Sequence, residues 1–260
     1  MVKGSHSLYL FVSLRDKILH QRSQRFTERR NFNSIIFRVM KYLILLLFPI
    51  TLFAQNKYGL TPVKLDEYKQ SVKANPENEL INLEKHIPGI VVDIRYATTN
   101  NFTGEQIYNL ARAYARKPVA DALKKIQADL KLKGLGLKIF DGYRPYSATV
   151  KFYETYRDTT YVASPYKGSR HNRGCAMDLT VIDLKTGKEL PMPTEYDSFK
   201  KEAWPSTPVA DSIIRANRKL LIDAMEKHGF KVNSSEWWHF DFIGWQKYAV
   251  MDIDFEELEE

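Results

Sequence analysis

The fold class this sequence predicts is α+β: a single domain with a central, largely antiparallel sheet flanked by helices. Three observations point there. At 260 residues, 44% of them hydrophobic and 13% aromatic, the chain can bury a sizeable core. Its strand-like and helix-like segments do not alternate strictly, which disfavours a doubly wound parallel sheet. Two short apolar segments near the C-terminus, Phe230–Asn233 and Trp237–Ile243, lie close enough to pair as a hairpin.

The elements follow in order. Residues 55–80 are polar and mixed and read as a linker. Gly89-Ile-Val-Val-Asp-Ile-Arg-Tyr96 alternates well enough for a strand, and Thr98–Gly104 reads as a loop. Lys117-Pro118 opens a helix, with proline near its first position. Ala122, Leu123, Ile126 and Leu130 then form one apolar stripe, which Gly134 and Gly136 end. Leu137–Asp141 is a short strand. Gly142-Tyr-Arg144-Pro145 turns the chain into a second helix through about Tyr156. Cys175–Ile182 reads as a strand. Asp211–Lys227 is a third helix, with Ile213, Ile214, Leu220, Leu221 and Met225 expected on its buried side and Gly229 as its cap. Residues 81–250 make up the domain, and 251–260 read as an acidic tail.

A net charge of +8 invites a nucleic-acid partner, but its distribution argues against one. Residues 1–40 carry eight basic groups against two acidic ones, and Lys41 adds another. The remainder is nearly neutral and offers phosphates no positive field. The run from Met40 to Ala54 has a basic start, an apolar stretch interrupted by Pro49 and a small residue before Gln55. That is the pattern of a secretory signal, too short for a good bilayer span. Residues 1–39 are then an upstream extension, and the expected location is the periplasm with no membrane span after cleavage. The rival reading is an uncleaved membrane anchor. Cys175 is the only cysteine, so no intrachain disulfide can form. It reads as a small core residue on a strand, with a nucleophile as the alternative.

Chemistry concentrates in two stretches, Ser169-Arg-His171-Asn-Arg-Gly174-Cys-Ala176-Met-Asp178 and Glu236-Trp-Trp-His239. A lone histidine is more often a satisfied polar residue than a ligand. Together, however, the stretches supply two imidazoles, one carboxylate ligand and a spare carboxylate, the inventory of a catalytic zinc site. Gly174 permits a turn after His171 and puts Asp178 on the following strand, where it shares a face with Ala176 and Thr180. His239 alternates with Trp237 and Asp241, leaving Trp238, Phe240 and Phe242 for the core. Glu236, three residues before His239, would point away from it on a regular strand. To serve as a general base at the same site it must sit in a turn or bulge, which Ser234-Ser235 makes feasible.

The joint pattern S-x-H-x-x-G-x-A-x-D followed by E-x-W-H resembles peptidase family M15, the zinc D-alanyl-D-alanine carboxypeptidases and VanX-type dipeptidases. The resemblance spans roughly residues 81–248. It implies a hedgehog/D-Ala-D-Ala peptidase-like fold, one Zn²⁺ held by His171, Asp178 and His239, and Glu236 as the base. Asp141-Gly-Tyr-Arg144-Pro145 matches a motif whose arginine holds the developing oxyanion. Asp93–Phe102 and Thr194–Phe199 are similar to the dipeptidase branch. They imply that Tyr96 lies near the substrate amine, that Asp197 pairs with it, and that Ser169 touches substrate. The expected function is hydrolysis of D-alanyl-D-alanine or related D-configured dipeptides, linked to peptidoglycan turnover. The alternatives are a carboxypeptidase trimming muropeptide stems and a zinc-bearing binding domain without turnover. The sequence departs from resistance-type members in a short stretch between Arg144 and His171 and in its leader.

Overall fold

Five strands assemble the sheet that carries the site. The computed structural model describes residues 56–259. The upstream extension and the apolar leader lie outside them. The helices are α1 (Leu65–Ala74), α2 (Leu83–His86), α3 (Lys117–Lys131), α4 (Tyr146–Thr155), α5 (Ser212–Glu226) and α6 (Phe255–Glu259). The strands are β1 (Leu80–Asn82), β2 (Val91–Val92), β3 (Tyr114–Arg116), β4 (Leu135–Asp141), β5 (Ala176–Asp183), β6 (Phe230–Val232) and β7 (His239–Phe242). The main sheet runs β2-β4-β5-β7-β6, antiparallel throughout except for the β2–β4 pair. A separate antiparallel pair joins β1 to β3. The α+β architecture is therefore the one expected.

β5 lies at the centre, and seven of its eight residues are buried. A strand covered on both faces needs apolar side chains on both, and Met177, Leu179 and Val181 supply one face. Asp178 and Thr180 on the other face are buried polar groups, which marks that face as the functional one. α3 packs Val119, Leu123, Ile126 and Leu130 into the core, close to the predicted stripe, and Pro118 occupies its first turn. Gln127 on the same helix donates to Gly89 O and accepts from Leu137 N, which anchors β4 to the helix.

Several expectations need correcting. The segment read as a linker contains α1, and the buried Tyr68 hydroxyl accepts from Leu80 N at 2.8 Å. The segment read as an acidic tail is built into the domain: Met251, Ile253 and Phe255 are buried, and Met251 bridges Val63. The strand expected over Gly89–Tyr96 pairs only at Val91–Val92. Asp93 N still reaches Ile139 O, but Arg95–Ala97 then turns as a single 3₁₀ turn that buries Tyr96. On α5, Ile213 is 63% exposed and the buried stripe is Arg218, Leu221 and Met225. The first turn of α5 is solvent-exposed, and Arg218 folds back to the Thr207 carbonyl at 2.9 Å. β7 begins at His239, so Trp237 and Trp238 lie in the preceding turn, where Trp238 lines the pocket. Cys175 is fully buried, and burial pushes its thiol up to about 12, which leaves no thiolate for nucleophilic work.

Candidate active site

Three chain segments converge on one buried point. His171 opens a single 3₁₀ turn, which Gly174 ends in the left-handed region at φ 68°. The positive φ favours glycine there, and a Cβ would also crowd the Leu80 methyl at 2.7 Å and the Arg116 backbone nitrogen at 3.3 Å. The chain then enters β5, where Asp178 stands opposite His239 of β7 in register. Sheet pairing thus brings two residues that are distant in sequence into contact.

His171 Nε2 and His239 Nδ1 lie 3.1 Å apart, and Asp178 Oδ1 lies 3.3 Å and 3.0 Å from them. Donor atoms at 2.0–2.2 Å from a tetrahedral zinc stand roughly 3.3 Å from one another, so this triangle has the size of one face of such a site. Their outer atoms fix how they face inward. His171 Nδ1 lies 2.7 Å from the Gly142 carbonyl and donates to it, which leaves Nε2 as a lone pair. His239 Nε2 lies 3.0 Å from Asp241 Oδ1, which leaves Nδ1 as a lone pair. The Tyr196 hydroxyl donates to Asp178 Oδ2 at 3.0 Å. Asp178 Oδ1 is buried and makes no hydrogen bond of good geometry. Two imidazole lone pairs and an unpartnered carboxylate oxygen aimed at one another repel unless a cation sits among them. The residues present therefore fit a divalent metal.

The electrostatics agree. Burial disfavours charge on His239, but the hydrogen bonds it can donate to the Asp178 and Asp241 carboxylates outweigh it and hold its pKa well above the ordinary value. Burial likewise opposes ionisation of Asp178, and the two imidazoles win, holding the carboxyl well below its usual range. Both shifts express one demand, a positive charge between these groups, which a proton or a metal ion can meet.

Glu236 is 9% exposed and sits in the turn before β7, as the spacing required. Its carboxylate approaches His239 Nδ1 at 3.6 Å. Burial raises its pKa to about 7, with His239 and Arg144 opposing and Asp178 adding to the shift. A carboxylate poised near neutrality beside a metal triad is suited to proton transfer.

Arg144 follows the β4 end through Gly142. A Cβ at Gly142 would fall 2.6 Å from the Tyr114 carbonyl, so only glycine allows this turn. The Arg144 guanidinium is buried; its Nε donates to Asp141 Oδ2 at 2.9 Å, and its Nη2 lies 2.8 Å from the same oxygen in an ion pair. Nη2 also lies 3.8 Å from Asp178 Oδ2. The Phe152 ring lies 4.7 Å and the Tyr96 ring 5.4 Å from its carbon. Burial opposes the charge, but Asp141, Tyr108 and Tyr96 outweigh it and keep the guanidinium ionised.

The three substrate-contact candidates line the same cavity, together with the metal triad and Glu236. The Tyr96 hydroxyl donates to Asp197 at 2.9 Å and 3.1 Å. Asp197 is the one non-glycine residue with positive φ among the described residues, at 60°. Asp tolerates this left-handed region better than most residues with a Cβ. Burial first, then Asp178, pushes its carboxyl well above the usual range, partly offset by the Tyr96 hydroxyl. Ser169 Oγ accepts from His171 N at 3.2 Å, and its own hydroxyl proton remains free to turn into the cavity.

Sequence reasoning missed four supporting residues. Asp141 holds Arg144, Asp241 orients His239, Tyr196 orients Asp178, and Asn172 locks the two motif turns together. The Asn172 side chain accepts from Ser169 N and donates to Arg144 O and Thr149 Oγ1. All four lie within or beside motifs that were visible. Only the geometry assigns them work.

Comparison with known proteins places this arrangement. The family model described as D-ala-D-ala dipeptidase, Peptidase M15, matches residues 76–257. The chain is 34% identical over 177 residues to a D-alanyl-D-alanine dipeptidase of Escherichia coli, covering 68% of this chain and 91% of that protein. It is 30% identical over 187 residues to one of Enterococcus faecalis, covering 64% and 93%. One of Streptomyces coelicolor is 29% identical over 181 residues, covering 61% and 88%. With the family model spanning most of the chain and the metal triad assembled as its chemistry demands, this protein belongs to the M15 metallopeptidases, in the D-Ala-D-Ala dipeptidase family.

Proposed function

We propose that this protein is a zinc dipeptidase that hydrolyses D-alanyl-D-alanine, or a closely related D-configured dipeptide, to free amino acids. The observation that carries the reading is the placement of Asp197. A buried carboxylate with a raised pKa, held by Tyr96 in the cavity of the metal triad, has no ion-pair partner among the described residues. The ammonium of a free dipeptide supplies one, and an internal residue of a longer peptide does not.

When bound, the metal supplies a Lewis acid that polarises the peptide carbonyl and makes water more acidic. Glu236 takes the proton of the attacking water at its carboxylate and delivers it to the departing amine. Arg144 keeps its charge beside the reacting carbonyl and offers planar N–H donors to the oxygen as negative charge develops. Asp141 holds the guanidinium so that this preorganisation costs nothing at the moment of reaction. Two imidazoles and one carboxylate, nitrogen and oxygen donors without a thiolate, suit zinc in a three-ligand site. Metal analysis of the purified protein tests the identity of the ion.

Free D-Ala-D-Ala and a stem pentapeptide assayed side by side test the substrate. The dipeptide is expected to be cleaved faster. Faster cleavage of the pentapeptide would replace this reading with a muropeptide carboxypeptidase, and hydrolysis of neither would leave a metal-bearing binding domain. We also propose export through the leader that starts at Met40, so that the enzyme meets wall-derived peptides outside the inner membrane. Among the described residues, no helix is long and apolar enough to cross a membrane. Cell fractionation with N-terminal sequencing of the mature chain tests the export, and an intact leader in the membrane fraction would overturn it.

A further inference from the structure

Glu236 is buried, yet little holds its carboxylate. Its charged neighbour is His239 Nδ1 at 3.6 Å, beyond hydrogen-bond length. A base with an unclamped carboxylate is free to exchange protons, but its position then depends on the main chain that carries it. That main chain is a closed turn. Val232 of β6 pairs with Phe240 of β7, and Asn233 N donates to the His239 carbonyl at 2.9 Å, which ties the two ends together. Inside the loop, Asn233 Oδ1 accepts from Ser235 N at 2.8 Å and lies 3.0 Å from Ser235 Oγ. One amide oxygen thus holds the residue immediately before Glu236 by both its backbone and its side chain, an Asx turn reinforced by a hydroxyl.

We infer that Asn233 is the positioning residue for Glu236, acting through Ser235, and that Ser235 also links the base to the roof of the pocket. The Ser235 hydroxyl has one proton and two acceptors in reach, Asn233 Oδ1 at 3.0 Å and the Thr160 carbonyl at 3.4 Å. The single proton serves one acceptor at a time: turned to Asn233 Oδ1 it closes the turn, and turned to the Thr160 carbonyl it joins the turn to Thr159–Ala163, which lines the cavity. Tyr161 in that segment stacks on Phe199 at 4.9 Å, two residues after Asp197. The base-bearing turn, the roof and the Asp197 loop therefore form one connected wall. The inference rests on the proposed role of Glu236, and it adds a residue that touches no reacting atom.

The test compares Asn233→Ala, Asn233→Asp and Ser235→Ala in the full chain, reading kcat, KM, metal content and crystal structures. Asn233→Ala removes the acceptor and is expected to lower kcat by ~10- to 10²-fold, the cost of misplacing a catalytic group by about 1 Å. KM and metal content should stay near wild type. Asn233→Asp retains an acceptor oxygen at the same position and should restore most of the lost kcat. Ser235→Ala keeps the backbone bond to Asn233 and should fall between. In the crystal structures, the Glu236 carboxylate should be displaced in Asn233→Ala and restored in Asn233→Asp. Wild-type kcat in Asn233→Ala, an equal loss in Asn233→Asp, or a loss that tracks metal content would each overturn the inference. If Asn233→Ala does not fold, the ranking of Asn233→Asp above Ser235→Ala in kcat decides. If the wild type hydrolyses no dipeptide, the proposed function fails, while the displacement of Glu236 still reads the positioning.

Discussion

At the scale of the residue, the role proposed for Glu236 separates the chemistry from the metal. It approaches His239 without being part of the triad, and burial lifts its carboxyl to about 7. Glu236→Gln keeps size and shape but removes basicity. It should retain stoichiometric metal and lose turnover by the ~10²–10⁴-fold typical of general-base catalysis. Near wild-type hydrolysis by that variant would refute the mechanism even with the metal site intact. The same shift sets a pH dependence. The base must be unprotonated to act, so kcat/KM should fall as pH drops through an acid limb at or below about 7, because the cation favours the ionised carboxylate. A kcat/KM without any acid limb over the range in which the metal stays bound would exclude Glu236 as that base. Arg144→Lys keeps a charge but loses the planar fork of donors. It should lower kcat more than it raises KM and less severely than Glu236→Gln, which steady-state kinetics can read directly.

At the scale of the element, the site is where β5 and β7 pair, and the sequence revealed its members better than their supports. His171, Asp178, Glu236 and His239 were legible because ligand types recur at spacings that a turn followed by a strand can satisfy. The paired register of Asp178 with His239 was not, because sheet pairing between residues 61 apart in number leaves no local trace. Nor was the role of Asp241. It shares a face with His239, which alternation shows, but only the 3.0 Å contact makes it the group that fixes the imidazole tautomer. Burial on α5 was misread for a related reason: periodicity finds a stripe, while tertiary packing decides how far along the helix it is covered. The outer contact carries a prediction. Asp241→Asn should weaken metal binding by about 10- to 100-fold while the fold stays intact, the usual cost of removing a carboxylate behind a ligating imidazole. Competition against a chelator measures this, and unchanged affinity would show that the histidine is oriented by something else. His171→Ala, which removes a ligand outright, should abolish both metal and activity. Stoichiometric metal in that variant would dismiss the ligand assignment.

At the scale of the whole molecule, the ends of the domain were the least legible part, because charge masked them. Residues 251–259 read Met-Asp-Ile-Asp-Phe-Glu-Glu-Leu-Glu, and the five acidic groups suggest a solvated tail. The apolar residues among them recur at every second position through Phe255, the period of a strand with one face buried. That face is buried here: Met251 and Ile253 are fully enclosed and Phe255 nearly so. Ile253 N donates to the Tyr143 hydroxyl at 2.9 Å, and that hydroxyl donates back to Ile253 O at 3.0 Å. Tyr143 is the residue before Arg144, so the C-terminal segment braces the turn that aims the guanidinium. Burying these three side chains contributes about 1.5–3 kcal/mol each, an upper figure because unfolded chains already hide some apolar surface. Their sum is comparable with the ~5–15 kcal/mol that stabilises a typical domain. A chain ending at Val250 should therefore fail to fold or melt far below the full-length protein. By contrast, a chain starting at Asn56 keeps all the site contacts found among the described residues and should match full-length kcat/KM. Thermal melts followed by circular dichroism, run on both truncations, separate these outcomes. A cooperative, wild-type melt for the chain ending at Val250 would restore the tail reading and remove the C-terminal segment from the support of Arg144.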